Sequence, residues 1–381
     1  MSAATGSRRT SLSRAKAAVD VGAIEHNCAR LAEELTGGAA LCAVVKAGGY
    51  GHGAIEVARA ALAGGASWLA VATAPEAAEL RSELPEARLL VLGALSEAEL
   101  DVALDADADV TVWRPDFAEL VRARGQALGR RPRVHVKYDS GMGRLGERDP
   151  GAVEALVREL ADDDRAELVG LWTHFATADE PGSRFFDEQL ARFLEVAVPL
   201  REAHPGLLLH AANSAATLRE PAAHLDMARC GIAVYGLDPF GEDPGQHGLR
   251  PALELWTYVA DVKLFEPGAS AGYGRKWHAT EPTHVGVLPI GYGDGVRRAL
   301  TNNAEVLVGG RRYPVVGTIS MDNLTIDLGR EPDVVPGDPA VLIGAQGGDR
   351  ILAEELARRL ETINYEITSA ISPRVPREFV R

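Results

Sequence analysis

The chain has 381 residues, of which 46% are hydrophobic, and a formal net charge of −14 at pH 7. This length accommodates one large barrel with a smaller second domain, or two to three ordinary domains. The acidic balance argues against nucleic acid and anionic membranes as partners, and no apolar stretch is long enough to cross a bilayer.

The N-terminal segment and the cysteines both indicate a cytoplasmic protein. Arg8-Arg9 is followed by polar residues rather than by the apolar core of an export signal, so we expect residues 1–13 to form a disordered tail. The three cysteines are far apart and lack CxxC spacing, which favours reduced core residues over a disulfide or zinc framework. They are Cys28, Cys42 and Cys230.

Short apolar runs alternate with amphipathic, helix-like stretches over the first two-thirds of the chain. The runs are Leu41–Val45, Trp68–Ala72, Arg88–Leu92, Val110–Trp113, Val134–Val136, Leu168–Trp172, Leu207–His210 and Met227–Val234. Helix-start signals recur between them, such as Thr73 before Pro75 and the capping pair Ser96 and Glu99. Eight alternations predict an α/β fold, a (β/α)8 TIM barrel over residues 14–245, with an open doubly wound sheet as the alternative.

The pattern changes beyond Asp238-Pro239. Residues 240–251 are rich in Gly and Pro and predict a linker, so we place a second domain at residues 246–381. The apolar runs that follow alternate loosely between turn residues, which predicts mostly antiparallel β-structure with a closing helix over residues 353–360. These runs are Trp256–Val262, His284–Pro289, Ala304–Val308, Tyr313–Val316, Leu324–Leu328 and Ala340–Ile343.

Lys46 follows the first apolar run and precedes Ala47 and a glycine-rich segment, residues 48–53. A cation at the end of a buried strand is costly unless it is paired or neutralised. The small neighbours leave room for a flat group beside the amine. Burial lowers the pKa of a lysine and leaves a nucleophilic amine, which suits a Schiff base with an aldehyde cofactor. The alternative is a lysine that reaches from a strand end to solvent.

Further polar residues lie in or directly after later barrel strands, near the end where barrels carry their active sites. They are Lys137, His174, Asn213, Ser214, Arg229 and Gly231. Arg229 stands inside an apolar run, where a guanidinium needs a fixed acceptor. Either a phosphate bound near Ser214 and Gly231, or an ion pair with a local carboxylate such as Asp226, would meet that need.

Two other patterns, one for dinucleotide binding and one for metal binding, give weak or negative signals. The segment 141–146 fits G-x-G-x-x-G after a strand, but Asp149-Pro150-Gly151 intervene before any helix, so it is a weak dinucleotide signal. None of the ten histidines shows HxxxH or HExxH spacing, so we expect no metal site.

Taken in order, a set of separated motifs resembles the alanine racemases, a family of pyridoxal-phosphate enzymes with a barrel and a C-terminal β domain. The resemblance runs from about residue 17 to the end of the chain. The motifs occupy residues 44–53, 137–144, 173–176, 213–215, 229–232, 291–295, 317–322, 362–366 and 374–377.

The resemblance implies that Lys46 holds pyridoxal 5'-phosphate and acts as one of two catalytic bases, with Tyr273 of the partner subunit as the other. It further implies a homodimer with shared active sites that interconverts L- and D-alanine, supplying D-alanine for cell-wall peptidoglycan. Racemisation needs two opposed groups, because the α-proton leaves one face of the substrate and a proton returns at the other.

The remaining site residues are also implied by the resemblance. The cofactor-binding residues are Lys46, Tyr50, His174, Ser214, Arg229, Gly231, Ile232 and Tyr365. The substrate-binding residues are Arg144 and Met321. The supporting residues are Lys137, which is often carbamylated in the family, His210, Asn213, Tyr292 and Asp322.

The chain departs from the family pattern where Gly48-Gly49 replace Asn-Ala and where Gly293 replaces an alanine. Both departures leave the preference among amino acids open, so a broad-specificity or serine racemase remains an alternative. A barrel-type amino-acid decarboxylase is a further alternative, although that family pairs the pyridine nitrogen with an acid and binds phosphate with consecutive glycines. A non-catalytic pyridoxal-phosphate carrier would not need the second domain.

Overall fold

The computed structural model describes residues 13–381, so the tail predicted for residues 1–13 lies, apart from Ser13, outside the described residues. The chain divides into two compact units. One comprises Asp20–Ala252 with Arg381, and the other joins the described residues before Asp20 to Leu253–Val380. Strand β1 (Lys16–Asp20) thus lies largely in the second unit, whereas the predicted barrel range begins at residue 14.

The larger unit contains a ring of eight parallel strands. They are β2 (Ala40–Val44), β3 (Trp68–Val71), β4 (Leu89–Val91), β5 (Asp109–Val112), β6 (Arg133–Lys137), β7 (Glu167–Trp172), β8 (Leu208–His210) and β9 (Met227–Cys230). Strands consecutive in the chain from β2 to β8 are neighbours in the sheet, and β9 pairs with β2. The Asp226 N–H donates to Leu209 O at 3.0 Å, and the Arg229 N–H donates to Ala212 O at 2.9 Å, which links the last two strands. The predicted barrel is confirmed, and the open sheet is wrong.

The barrel unit contains helical segments, some of which begin at the signals that the sequence carries. They are α1 (Val21–Glu34), α2 (Lys46–Tyr50), α3 (Ala54–Ala63), α4 (Ala74–Glu83), α5 (Glu97–Asp105), α6 (Pro115–Ala127), α7 (Pro150–Ala161), α8 (Arg184–Ala203) and α9 (Ser214–Arg219). Thr73 and Ser96 head capping boxes with Glu76 and Glu99, in which each side chain binds the other's backbone N–H. These caps fix the residues at which α4 and α5 begin.

The barrel strands are apolar because both faces of the sheet are covered. All of β4 is fully buried, for example. Polar side chains nevertheless enter the interior of the barrel unit, and Asp109, His135 and His210 have no exposed surface. Buried polar groups of this kind require hydrogen-bond partners, so they mark positions where side chains have a role beyond packing.

The linker predicted for residues 240–251 is wrong, because this segment packs within the barrel unit. The Asn27 amide of α1 donates to Arg250 O at 2.9 Å and accepts from the Arg250 N–H at 2.8 Å. A Cβ on Gly236 would overlap the Arg250 carbonyl, so glycine permits this close approach. The Gly and Pro residues therefore belong to a loop that is hydrogen-bonded to the barrel unit.

The smaller unit is built mainly of β-strands, as predicted. They are β10 (Leu253–Tyr258), β11 (Asp261–Phe265), β12 (Ser270–Ala271), β13 (Trp277–His278), β14 (Thr283–Leu288), β15 (Glu305–Val308), β16 (Arg311–Pro314), β17 (Leu324–Gly329), β18 (Pro339–Gln346), β19 (Asp349–Ile351) and β20 (Arg377–Val380). The unit also contains helices α10 (Ala353–Arg359) and α11 (Asn364–Ser369). The largest sheet has the order β16-β15-β18-β10-β1-β20, with β19 beside β18, and β11-β14-β17 form a separate antiparallel sheet.

One predicted strand proves to be two. The run 256–262 spans the end of β10 and the start of β11, which belong to different sheets. The chain changes sheets at Val259, whose N–H donates to Asp338 O at 2.9 Å, and Ala260, whose N–H donates to Val287 O at 2.7 Å. The loosely alternating pattern continues through the run without a turn signal, so it cannot reveal such a change of partner.

None of the helices in residues 13–381 combines the length and the apolar character needed to span a lipid bilayer.

Candidate active site

Lys46 opens a left-handed turn at the end of strand β2. Ala47, Gly48 and Gly49 have φ values of 53°, 61° and 63°, and Tyr50 has a φ of 50°. Each L-residue in this conformation is strained, whereas glycine is not. The two glycines therefore allow a run of four left-handed residues, which turns the chain sharply and brings Tyr50 back toward the barrel.

The Lys46 ammonium is destabilised by its surroundings. Burial lowers its pKa below the usual value, the Arg144 cation lowers it further, and Glu76 opposes both effects. The Glu76 carboxylate also accepts from the Ala47 N–H at 2.6 Å and from the Ala72 N–H at 2.9 Å. Glu76 thus ties the turn after Lys46 to the loop before α4.

Tyr50, Ser214, Gly231 and Ile232 meet in one place. Ser214 opens α9, and its Oγ accepts from the Gly231 N–H at 3.0 Å, while Asn213 caps the same helix through the Ala216 N–H. A Cβ on residue 231 would overlap the Tyr50 hydroxyl, and Ile232 begins the following 3-10 turn. Any side chain at residue 231 would therefore displace the Tyr50 hydroxyl.

Arg229 is 3% exposed, and carbonyl and imidazole acceptors surround its guanidinium. Nη1 donates to His210 Nδ1 at 2.9 Å, and Nη2 donates to Thr173 O at 2.8 Å and Ala211 O at 3.1 Å. Burial lowers the Arg229 pKa to about 10, partly offset by Cys42 and Cys230, so the group stays cationic at neutral pH.

The ion pair considered between Arg229 and Asp226 is wrong. Asp226 instead binds Arg201, whose Nη2 lies 2.9 Å from Oδ1, and it also accepts from the Leu209 N–H. With its neighbouring carboxylate engaged elsewhere, Arg229 is held by neutral acceptors.

Two basic side chains, those of Lys137 and Arg229, lie over the indole ring of Trp172. Lys137 Nζ lies 4.1 Å and Arg229 Cζ lies 4.6 Å from the ring centroid, and the His210 ring stacks on it at an interplanar angle of 9°. Burial lowers the Lys137 pKa to about 7, with further lowering by Arg229 and Arg144 and an opposing effect of Asp139. Trp172 therefore positions charged groups that repel each other.

His174 belongs to the same electrostatic neighbourhood. Burial holds its pKa well below the usual value, and the cations Arg229, Arg144, Lys137 and Lys46 lower it further, in that order. The structure thus gathers these predicted barrel residues around one cationic region, which suits an anionic ligand.

A second group of predicted residues lies on adjoining loops of the smaller unit. The Thr318 hydroxyl donates to Tyr273 O at 2.6 Å, the Tyr292 N–H donates to Ser320 O at 3.0 Å, and the Gly293 N–H donates to Met321 O at 2.9 Å. The side chains of Tyr273, Tyr292 and Met321 are 73%, 42% and 50% exposed. Large apolar side chains presented on fastened loops are typical of interaction surfaces.

Asp322 and Tyr365 complete the predicted set. Asp322 Oδ1 accepts from Arg374 Nη2 at 2.6 Å, and Tyr365 lies on α11. A Cβ on Gly293 would overlap the Arg374 guanidinium, so Arg374 takes the space that the family's alanine methyl would need.

The glycine-rich segment 141–146 has a structural role. Asp139 Oδ1 accepts from the Gly143 N–H at 2.9 Å and the Gly141 N–H at 3.2 Å, and helix α7 begins only at Pro150. The segment therefore wraps a carboxylate and does not open a helix as a dinucleotide site would.

Two family profiles match almost the entire chain. The profile described as "Alanine racemase, N-terminal domain" matches residues 19–239, and "Alanine racemase, C-terminal domain" matches residues 252–379. The chain belongs to the alanine racemase family.

Individual members of this family are similar over nearly their full length. An alanine racemase of Symbiobacterium thermophilum is 44% identical over 366 residues, covering 95% of this chain and 96% of the relative. That of Geobacillus stearothermophilus is 42% identical, covering 96% and 93%. The crystal structure of alanine racemase from D-cycloserine-producing Streptomyces lavendulae superposes with a TM-score of 0.92 at 36% identity, covering 98% of both chains.

Sequence reasoning missed four residues that the structure connects to this alanine racemase site. They are Glu76, Asp109, His135 and Trp172. A polar residue within the run Val134–Val136 was the available signal for His135. Glu76 gave no separate signal, because a glutamate three residues after Thr73 is what an ordinary capping box contains.

Proposed function

We propose that this protein interconverts L- and D-alanine with pyridoxal 5'-phosphate as cofactor. Lys46 carries the proposal. It is a lysine at the mouth of a parallel barrel, with a lowered pKa and a glycine-rich turn beside it. Family membership supports alanine as the substrate, since the relatives and the similar crystal structures are alanine racemases.

The residues present fit the cofactor. The lack of a side chain at Gly231 lets the Tyr50 hydroxyl approach the backbone of residue 231, where the Ser214 hydroxyl and the Gly231 N–H also meet, so three polar groups that can bind phosphate converge. We propose that these groups and Ile232 hold the phosphate, with Tyr365 as a further ligand and Arg229 at the pyridine nitrogen. When bound, the cofactor supplies an electron sink that acidifies the α-proton of an amino acid.

Arg229 sets the acid–base character of this site. Its guanidinium donates hydrogen bonds but does not release its proton at neutral pH. It therefore orients a neighbour without acting as an acid, in contrast to the carboxylate that many enzymes with this cofactor use. We propose that this property favours return of a proton to the substrate over side reactions.

Two bases on opposite faces would exchange the α-proton. The lowered pKa of Lys46 leaves a larger share of its Nζ free to accept a proton near neutral pH. We propose Tyr273 Oη as the other base, supplied by a second copy of the chain. Its strongly exposed ring on a fastened loop supports this role.

The substrate carboxylate needs cationic and N–H partners. We propose that Arg144 and the Met321 backbone bind it, and that His174, Lys137, His210, Asn213, Tyr292 and Asp322 support the site. The Arg144 cation contributes to the lowering of the Lys46, Lys137 and His174 pKa values, which supports a role for it at the same site.

The quaternary and cellular setting follow from the same proposal. We infer a homodimer, because Tyr273 is to act on a second copy, and D-alanine as a product available for peptidoglycan. A cytoplasmic location is supported by Cys28, Cys42 and Cys230, which are buried free thiols, as expected in a reducing compartment.

Circular dichroism of purified protein with added pyridoxal phosphate tests the activity. L-alanine and D-alanine, supplied separately, should converge on the same optically inactive mixture, while Lys46→Ala should convert neither. Serine, lysine and arginine run in parallel measure the strictness of the preference. Faster conversion of serine would support the serine racemase alternative, release of CO₂ would indicate a decarboxylase, and no conversion of any amino acid would refute the proposal.

A further inference from the structure

A chain of buried hydrogen bonds crosses the interior of the barrel unit and ends at Arg229. Asp109 lies at the start of β5, His135 in the middle of β6, and His210 at the end of β8. His135 Nε2 lies 3.1 Å from Asp109 Oδ2, His135 Nδ1 lies 3.0 Å from His210 Nε2, and His210 Nδ1 lies 2.9 Å from Arg229 Nη1. Three contacts thus connect a carboxylate at one end of the strands to the guanidinium at the other.

The direction of every hydrogen bond follows from the fact that arginine can only donate. His210 Nδ1 must accept from Arg229, so the proton of a neutral His210 is on Nε2. That proton is donated to His135 Nδ1, which leaves the His135 proton on Nε2 to be donated to Asp109. If either histidine were protonated on both nitrogens, two N–H groups would face each other and one of the hydrogen bonds in this series would be lost.

The charges at each end agree with this arrangement. Burial alone would raise the Asp109 pKa, but the hydrogen bond from His135, together with the hydrogen bond and charge of Arg88, lowers it to about 2. Arg133 Nε also donates to Asp109, at 2.6 Å. Burial and the Arg229 cation hold the His210 pKa well below its usual value, so this ring stays neutral. The chain therefore runs from a cation through two neutral rings to an anion.

Neighbouring rings fix the two imidazoles. Trp172 stacks on His210, and Trp68 meets the His135 ring edge-on at 5.7 Å with an interplanar angle of 89°. The imidazoles themselves are nearly perpendicular, with centroids 5.1 Å apart. Such packing holds the rings in the planes that the hydrogen bonds require.

We propose that Asp109 and His135 are positioning residues that fix the orientation of Arg229 through the tautomer of His210. The interior of a parallel barrel is ordinarily filled with branched apolar side chains, and a buried polar chain is rarely a source of stability. Aligned hydrogen bonds polarise one another, so the Asp109 carboxylate makes His210 Nδ1 a stronger acceptor for the guanidinium. The consequence for catalysis rests on the proposed function, whereas the tautomer does not.

His135→Leu and His135→Gln form the decisive pair of variants. Leucine removes both contacts, so the His210 Nε2–H loses its acceptor, whereas a glutamine amide can accept from His210 and donate to Asp109. We expect His135→Leu to change the ¹⁵N resonances of the His210 ring in the holoenzyme, to speed cofactor release, and to lower kcat about tenfold with little change in KM. His135→Gln should restore most of each property.

Asp109→Asn provides a second test that preserves shape if the leucine variant does not fold. It should shift the His135 and His210 ring resonances and lower kcat. Arg133→Gln is the matched control, because Arg133 binds the other carboxylate oxygen, Oδ1, and its removal leaves the contact between Asp109 Oδ2 and His135 in place.

Unchanged His210 resonances in both Asp109→Asn and His135→Leu would overturn the proposal, as would equal losses in His135→Leu and His135→Gln. The ring resonances are measured without turnover. A wild-type protein that fails to racemise alanine would therefore refute the proposed function and leave this test of the hydrogen-bond chain in place.

Discussion

At the scale of single residues, Lys137 shows how burial and charge determine a protonation state. Its side chain is 2% exposed, and its pKa of about 7 lies below the ordinary value of 10.5. Between these two pH values the unfolded state binds a proton that the folded state does not. Folding is therefore penalised below pH 7, and the penalty is relieved as the pH rises.

Replacing Lys137 with methionine should remove this pH dependence. Between about pH 7 and 10.5, the Lys137 contribution makes the free energy of unfolding rise by ~1.4 kcal/mol per pH unit, and Lys137→Met should lack that slope. Urea denaturation at several pH values in CO₂-depleted buffer measures it, because the carbamate that the family resemblance implies would not titrate. Lys263→Met, on an exposed strand, is the control, and parallel curves for wild type and Lys137→Met would contradict the prediction.

Gly48 is a second residue whose identity follows from its conformation. It has a φ of 61°, and no atom of the described residues lies within 4 Å of the position that a Cβ would take, so any cost of a side chain arises from the backbone alone. Gly48→Asn should be nearly neutral, since asparagine tolerates the left-handed region, whereas Gly48→Val should cost about 1–2 kcal/mol. Chemical denaturation of both variants gives the comparison, and equal stabilities would show that the turn relaxes.

The same conformation explains why this chain departs from the family pattern without losing the turn. Asparagine and glycine both enter the left-handed region readily, so the family's Asn and this chain's Gly48 meet one requirement. At Gly49 a Cβ would lie 3.2 Å from Ala54 Cα, so an alanine there would need a small adjustment of α3 in addition to the strain of a left-handed backbone.

At the scale of elements, a capping residue fastens the loop that carries the lysine. Glu76 accepts from the Ala72 and Thr73 N–H groups at the start of α4, and its other oxygen binds the Ala47 N–H. A helix terminus and the turn after β2 therefore depend on one carboxylate.

Glu76→Ala should impair both stability and catalysis. We expect a loss of about 1 kcal/mol, as for other caps, and a fall in kcat of about tenfold because Lys46 is less well placed. Glu99→Ala is the matched control, since Glu99 forms the same capping box on α5, where its carboxylate binds the N–H and hydroxyl of Ser96. Steady-state kinetics beside urea denaturation separates the two effects, and equal kcat values for the two variants would deny Glu76 a role at Lys46.

Elements that bury both faces were predictable, and elements defined by distant partners were not. The barrel strands appear as apolar runs because each is covered on both sides. The five residues of β1 carry no such signal, since their pairing with β10 is decided more than 230 residues later in the chain. Polar strand ends revealed most of the candidate site, whereas His135 resembles an ordinary core histidine until its two partners are seen.

At the scale of the whole molecule, the two groups of site residues belong to different compact units. Lys46 lies in the barrel unit and Tyr273 in the smaller unit. A homodimer that shares active sites would pair the Lys46 of one chain with the Tyr273 of the other. Mixing two inactive variants distinguishes this arrangement from one in which both bases come from a single chain.

Lys46→Ala and Tyr273→Phe should each be inactive as homodimers and regain activity when unfolded and refolded together. A mixed dimer holds one complete site, so an equal mixture should reach about a quarter of wild-type activity in a twofold-symmetric dimer. Racemisation measured by circular dichroism provides the readout, with each variant refolded alone as the control. No recovery, in samples shown to contain mixed dimers, would place both bases on one chain.

The position of β1 between β10 and β20 has a consequence for how the protein is made. On the ribosome, residues 20–252 can complete the barrel while the chain is still being extended. β1, the first strand of the described residues, must stay without its sheet until β10 emerges after the barrel, and its other neighbour, β20, follows only after residue 376. Cutting the gene between the two units would thus leave a β fragment with a missing middle strand, and a permuted version that begins at residue 20 and appends residues 13–19 after the final strand would restore it.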